Sequence, residues 1–237
     1  MSKAAALLAF SAAGVWAQVT AEFSDPSRPG TVRIERARGG VTISGAAIKN
    51  VRVLSRNRAE EPISIRESGN VLTIDDNGRG NDGDLVLQVP FATSAVVKTV
   101  NSGTIRIENL EGEIEASNVN GHILLHGVKG AVVADTVNGK IVAALERADP
   151  KPMSFITANG ELDVTFPANL KATLRMKADN GDIYTEFEVT IRNEQSRVQN
   201  KRGQWRSETV TIGQVNGGGP EIRLQTLNGK IYIRKGR

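Results

Sequence analysis

From Leu110 to Leu145 the chain aligns with itself every nine residues, as LEGEIEASN, VNGHILLHG, VKGAVVADT and VNGKIVAAL. The first place of each unit is apolar: Leu110, Val119, Val128 and Val137. The third is Gly112, Gly121, Gly130 or Gly139. The fifth is Ile114, Ile123, Val132 or Ile141, and the seventh is Ala116, Leu125, Ala134 or Ala143. Places five and seven are two apart and share one face of a strand. Helical spacing of three and four is absent. Each unit therefore predicts a turn followed by a strand of about five residues. The glycine is expected to supply the turn's unusual backbone angles.

Asn precedes the glycine in alternate units, at Asn120 and Asn138, whereas Glu111 and Lys129 stand in the others. The full period is thus 18 residues, two strands per turn of the chain. The pattern extends upstream to Gly103, Ile105 and Ile107, with an early cousin at Gly40-Val41-Thr42-Ile43. Downstream it returns at Asn159-Gly160, Asn180-Gly181 and Asn228-Gly229. Asn-Gly also suits an antiparallel hairpin. In-register recurrence of equivalent residues favours a stack, because coils laid over one another need it and a meander does not. Stacked strands would lie about 4.8 Å apart and pool a core that no unit buries alone. Asn120, Gly121, Asn138, Gly139, Asn159, Gly160, Asn180, Gly181, Asn228 and Gly229 are accordingly assigned as structural turn positions, with the Asn amides forming ladders.

The expected fold is all-β: a β-solenoid or β-helix-like roll of stacked short strands, with a basic hairpin projecting near the C-terminus. The repeat core covers about 96–188, the hairpin insertion 189–212 and the final strands 213–237, all within one domain at 31–237. Strands within 31–90 are expected to pair onto or cap the array. Residues 18–30 read as a flexible segment. Met1 to Ala17 reads as an export signal: Lys3, then an apolar run from Ala4 to Ala13, then Val15 and Ala17 at a small-residue cleavage site before Gln18. The apolar run is shorter than the ~20 residues of a membrane span, and no later segment is longer. No transmembrane span is expected in the mature chain.

Composition narrows the chemistry. Aromatics are 4% of the chain against 39% hydrophobic, so β-branched residues must fill the interior, which suits a thin core. Cysteine is absent, excluding disulfides, thiolate metal sites and cysteine nucleophiles. A formal charge of +4 on a surface of 30 basic and 26 acidic residues gives weak steering, and no nucleic-acid partner is expected.

The stretches VPFATSAVVKTVNSGTIRIENLEGEIEASNVNG, ADTVNGKI, TANGELDVTFP, ADNGDIY and VNGGGPEIRLQTLNGKIYIRK resemble a bacterial family, the putative-adhesin domain of unknown function. The resemblance covers roughly 35–235 and departs at 189–212. It implies an envelope location and carries over no catalytic residues.

The candidate ligand-binding residues are Trp205 with Lys201, Arg202 and Arg206, where an aromatic among cations could stack on a sugar or touch headgroups. The plainer reading is a solvated hairpin. Asp75 to Asp84 collects carboxylates and amides, but its spacing fits no calcium loop, and a hairpin loop between VLTID and DLVLQVP is expected. His122 and His126, four apart on a strand, would sit about 13 Å apart, too far for one metal. The residues after each turn glycine (Thr104, His122, Lys140, Glu161, Asp182 and Lys230) alternate in charge and offer no acid pair for glycan cleavage. No metal or cofactor is expected. The first reading is a non-enzymatic exported envelope or surface protein, periplasmic, cell-surface or secreted, whose partner is a cell-surface glycan or an envelope protein. A periplasmic sensor module bound to a membrane partner is the alternative, followed by a glycan-cleaving enzyme. Nothing in the pattern sets an oligomeric state.

Overall fold

A computed structural model describes residues 7–9, 16–56, 63–75, 83–101, 103–199 and 205–237, with side chains described at 19–54, 63–75, 83–101, 103–192 and 210–237. The strands are β1 Leu7–Ala9, β2 Trp16–Ala21, β3 Thr31–Arg38, β4 Val41–Ala46, β5 Val51–Arg56, β6 Ser64–Ser68, β7 Val71–Asp75 and β8 Leu85–Pro90. Then come β9 Ser94–Asn101, β10 Ile105–Glu108, β11 Ile114–Asn120, β12 Ile123–Val128, β13 Val132–Asn138, β14 Ile141–Leu145, β15 Met153–Asn159 and β16 Leu162–Phe166. The last are β17 Ala172–Asn180, β18 Ile183–Thr185, β19 Val189–Gln199, β20 Trp205–Val215, β21 Glu221–Asn228 and β22 Ile231–Lys235. Among the described residues no helix forms, so none is long and apolar enough to cross a membrane.

The strands form two mixed sheets of eleven. The first runs β1-β2-β5-β8-β4-β10-β12-β14-β16-β22-β18 and the second β19-β20-β17-β21-β15-β13-β11-β9-β3-β7-β6. The middle of each is parallel, and antiparallel pairs sit toward the ends. Ile114 pairs with Val132 in the second sheet, and Ile123 with Ile141 in the first. All four are buried, with Glu115 and Leu124 between them turned away from the core. Alternation thus sends every second residue into one core drawn from both sheets, where Phe155 and Phe166 meet edge to face at 6.1 Å.

The Asn-Gly crossings carry a second, polar file. Arg36, Thr99, Asn118, Thr136, Thr157 and Thr226 occupy one register row and are all buried. Each partnered member donates to a turn carbonyl. Thr157 Oγ1 reaches Gly139 O at 2.8 Å, Thr136 Oγ1 reaches Gly121 O at 3.0 Å and Thr226 Oγ1 reaches Gly160 O at 3.0 Å. Asn118 Nδ2 does the same to Gly103 O at 2.8 Å. At the head of the row the Arg36 guanidinium takes two carbonyls, Gly40 O and Gly83 O, each at 2.8 Å. The motif is therefore Thr/Asn-x-Asn-Gly, and its first residue keeps buried carbonyls hydrogen-bonded.

Three expectations change. The glycines at Gly121, Gly139 and Gly160 do not have positive φ. A Cβ on any of them would collide with the carbonyl of the glycine stacked beneath, so close approach excludes a side chain there. VLTID and DLVLQVP are not a hairpin: β7 lies in the second sheet and β8 in the first, so the chain between them crosses from sheet to sheet. Residues 76–82 of that crossing lie outside the described residues. Finally, chain order is not stacking order. β21 inserts between β15 and β17, and β22 between β16 and β18. The strands at that end of the array are β18 and β19. The reason lies in β19 and β20, which pair antiparallel and carry the chain back, through the Gly217-Gly218 turn with its positive φ angles, to a vacancy flanked by two strands.

Candidate functional site

Insertion of β22 beside β18 builds a feature that sequence order hides. Ile183 pairs with Ile231 and Tyr184 with Tyr232. Ile231 and Ile233 point into the core, so alternation turns the two tyrosines outward on neighbouring strands. Their rings stack, with centroids 5.2 Å apart and planes 11° from parallel. Asp163 occupies the same row one strand further in. Arg234 reaches back to clamp it, with Nε to Oδ1 at 2.7 Å and Nη2 to Oδ2 at 3.0 Å. The Asp163 carboxylate pushes the Arg234 guanidinium further up from its ordinary value, holding it charged. That guanidinium lies 5.4 Å from the Tyr232 ring centroid, and Lys230 Nζ lies 5.9 Å from that of Tyr184.

Carboxylates frame the exposed end. Tyr184 Oη donates to Asp182 Oδ2 at 3.3 Å. Glu186 Oε2 accepts the Lys235 N–H at 2.9 Å, with Oε1 3.8 Å from Arg234. Tyr184 is 46% exposed and belongs to the edge strand of its sheet. An exposed aromatic surface ringed by fixed acceptors and donors can hold a sugar, with its C–H face on the ring and its hydroxyls on the carboxylates and cations. The repeat Asn-Gly-Asp-Ile-Tyr at 180–184 and Asn-Gly-Lys-Ile-Tyr at 228–232 carried this signal in the sequence. Nothing in the sequence placed those two units side by side.

The turn asparagines form a continuous amide ladder. Nδ2 to Oδ1 distances are 3.3 Å for Asn120 to Asn101, 2.8 Å for Asn138 to Asn120 and 2.8 Å for Asn159 to Asn138. Asn228 follows onto Asn159 at 2.7 Å, and Asn180 onto Asn228 at 2.9 Å. Beside it runs an exposed aliphatic row of Val100, Val119, Val137 and Leu227.

Of the basic-hairpin candidates, Lys201 and Arg202 lie outside the described residues. The backbones of Trp205 and Arg206 open β20, paired with Gln199 and Val198, and their side chains are outside the described ones. His122 and His126 are both exposed, and His122 Nδ1 accepts the Lys140 N–H at 3.1 Å. Asp84 Oδ1 accepts the Gly40 N–H at 2.9 Å. Among the described residues no group of three or more His, Asp or Glu could hold a metal ion.

No protein-family model matches this chain, and no curated protein matches it. Likeness is found in fold. The crystal structure of a "putative cell adhesion protein" from Clostridium sporogenes ATCC 15579 superposes with a TM-score of 0.52 at 12% identity, covering 92% of this chain and 99% of that one. A "putative adhesin" from Bacteroides fragilis NCTC 9343 gives 0.34 at 8% identity, over 93% and 97%. A "putative lipid binding protein" from Parabacteroides distasonis ATCC 8503 gives 0.40 at 10% identity, over 94% and 98%. The first likeness shows an adhesin-like all-β fold, and identity of this order carries no shared ligand.

Proposed function

We propose that this chain is an exported, non-enzymatic envelope or surface protein that binds glycan. Its two sheets are the two sides of a β-solenoid, and the stacked turns hold the binding face rigid. The observation that carries the reading is the Tyr184–Tyr232 stack, ending in an exposed ring framed by Asp182, Glu186, Lys230 and Arg234. The Clostridium neighbour's name, a cell adhesion protein, points the same way. Export rests on the Met1 to Ala17 signal. Cleavage before Gln18 is compatible with the fold, since Gln18 to Ala21 would keep its pairing with β5. The basic hairpin with Trp205 is a secondary contact under this reading.

Retention on insoluble peptidoglycan tests it. Tyr184→Ala should lower retention at least tenfold while the melting temperature stays close to that of the parent. Unchanged retention in a folded variant overturns the glycan reading. A second reading, a periplasmic module docking on a membrane protein, is favoured by the exposed row of Val100, Val119, Val137 and Leu227. Capture of one membrane protein from envelope extract, lost in Val119→Lys, would support it.

A further inference from the structure

At the opposite corner of the molecule, far along the stack from Tyr184, three turns enclose a half-open cleft of about 630 Å³. This falls within the ~300–1,000 Å³ typical of small-molecule sites. Its wall is apolar: Phe23, Pro26, Pro29, Ile48, Pro90 and Ala92. Two cations, Arg28 and Lys49, and two hydroxyl residues, Ser27 and Thr93, also line it.

The wall is held in place before any ligand arrives. Asn70 staples the 25–30 loop, accepting the Asp25 N–H at 2.9 Å and donating to Arg28 O and Pro29 O at 3.2 Å each. Asn70 is itself buried, with a φ of 66°. Asp25 Oδ2 binds Arg28 Nε at 2.7 Å. Phe23 lies so close over Gly30 that a Cβ there would strike its ring. The Thr93 N–H donates to Pro90 O at 3.0 Å, fixing the third turn. Preformed walls lower the ordering cost of binding.

Two features lack a partner among the described residues. Thr93 is buried, and its Oγ1 has no hydrogen-bond partner. A buried hydroxyl left unpaired costs ~1–3 kcal/mol. Asp25 already neutralises Arg28, whereas no carboxylate among the described residues lies against Lys49. The cleft thus presents an apolar body and one positive charge, Lys49, that no carboxylate among the described residues neutralises.

We infer that this cleft binds an amphiphilic monocarboxylate, its hydrocarbon on the Phe23–Ile48–Pro90 wall and its carboxylate at Lys49. A single charge with no carboxylate against it among the described residues selects a monoanion over a polyphosphate. The site shares no residue with the tyrosine stack, so it stands or falls independently of glycan binding.

Titration calorimetry on the full chain tests it with three probes that share a ten-carbon chain, each kept below its micellar or solubility limit: decanoate, decanol and decyltrimethylammonium. Decanoate should bind, decanol should bind at least tenfold more weakly, and the cation should give no binding heat. Lys49→Gln should weaken decanoate at least tenfold and leave decanol unchanged. Ala92→Trp, at an exposed lining position, should abolish both. Absence of decanoate binding by the folded chain overturns the inference. Equal affinity for all three probes, or unchanged affinity in Lys49→Gln, overturns it as well.

Discussion

Where the chain passes from the second sheet to the first, four crossings share one motif: Asn118 to Gly121, Thr136 to Gly139, Thr157 to Gly160 and Thr226 to Gly229. At the opposite corner the connections range from residues 129–131 between β12 and β13 to residues 22–30 between β2 and β3. The first corner has a buried hydroxyl file, a glycine file and an amide ladder, each in register with its neighbours. The second has prolines, left-handed Asn109 and Gly127, and two clefts, one by Thr93 and one of about 360 Å³ between Arg147, Pro150, Leu170 and Pro220. Repetition at one corner fixes the spacing of the stack. The other corner is thereby released to vary, and its unequal turns leave room for ligands.

The comparison can be broken most forcefully by removing the last two strands. Ending the chain at Pro220 takes away β21 and β22, which stand between β15 and β17 and between β16 and β18. The expected outcome is loss of cooperative unfolding and of protease resistance. A truncated chain with the parent's melting curve would contradict the inserted order.

Glycine substitutions separate the corners next. Gly139→Ala drives a Cβ into the Gly121 carbonyl and should cost about 3 kcal/mol, as overpacking against backbone does. Gly217→Ala at the irregular corner meets open space at a φ of 85° and should cost about 1 kcal/mol in urea unfolding. Equal costs would remove the distinction.

Hydroxyls give a smaller contrast of opposite sign. Thr157→Val leaves the Gly139 carbonyl without its 2.8 Å donor and should destabilise by about 1–2 kcal/mol. Thr93→Val deletes a hydroxyl with no partner and should be neutral or stabilising. The smallest effect is electrostatic. Hydrogen bonds from Ser27, then Arg28, hold the Asp25 carboxyl below its ordinary value. A depressed folded value gives stability that is present above the ordinary aspartate range and lost as pH falls through the lowered value. Melting temperature against pH should therefore fall less steeply on the acid side in Asp25→Asn than in the parent.

Much of the regular corner was legible because its cause is local. A strand alternates every two residues, and a turn needing Gly repeats at a fixed offset, so Ile114, Val132, Ile123 and Ile141 announce their inward direction. The reason for the glycine was not legible, since a clash between stacked carbonyls exists only once units lie over one another. Thr136, Thr157 and Thr226 were overlooked for the same reason: the carbonyl each one satisfies belongs to another unit. The tyrosine stack depends on β22 returning beside β18, 48 residues from Asn180 to Asn228 in sequence and adjacent in space. Clefts arise where turns differ, and a repeat pattern says nothing about what breaks it.

Disulfide trapping tests the stack itself most directly, because the chain has no cysteine of its own. Glu115 and Val133 are register partners on adjacent strands, so their Cα atoms should lie about 4.8 Å apart, within disulfide reach. Val142 lies in the other sheet. Mild oxidation should close Glu115→Cys/Val133→Cys and leave Glu115→Cys/Val142→Cys open. Failure of the first pair to close, or equal closure of the second, would contradict the stacking of units 18 residues apart.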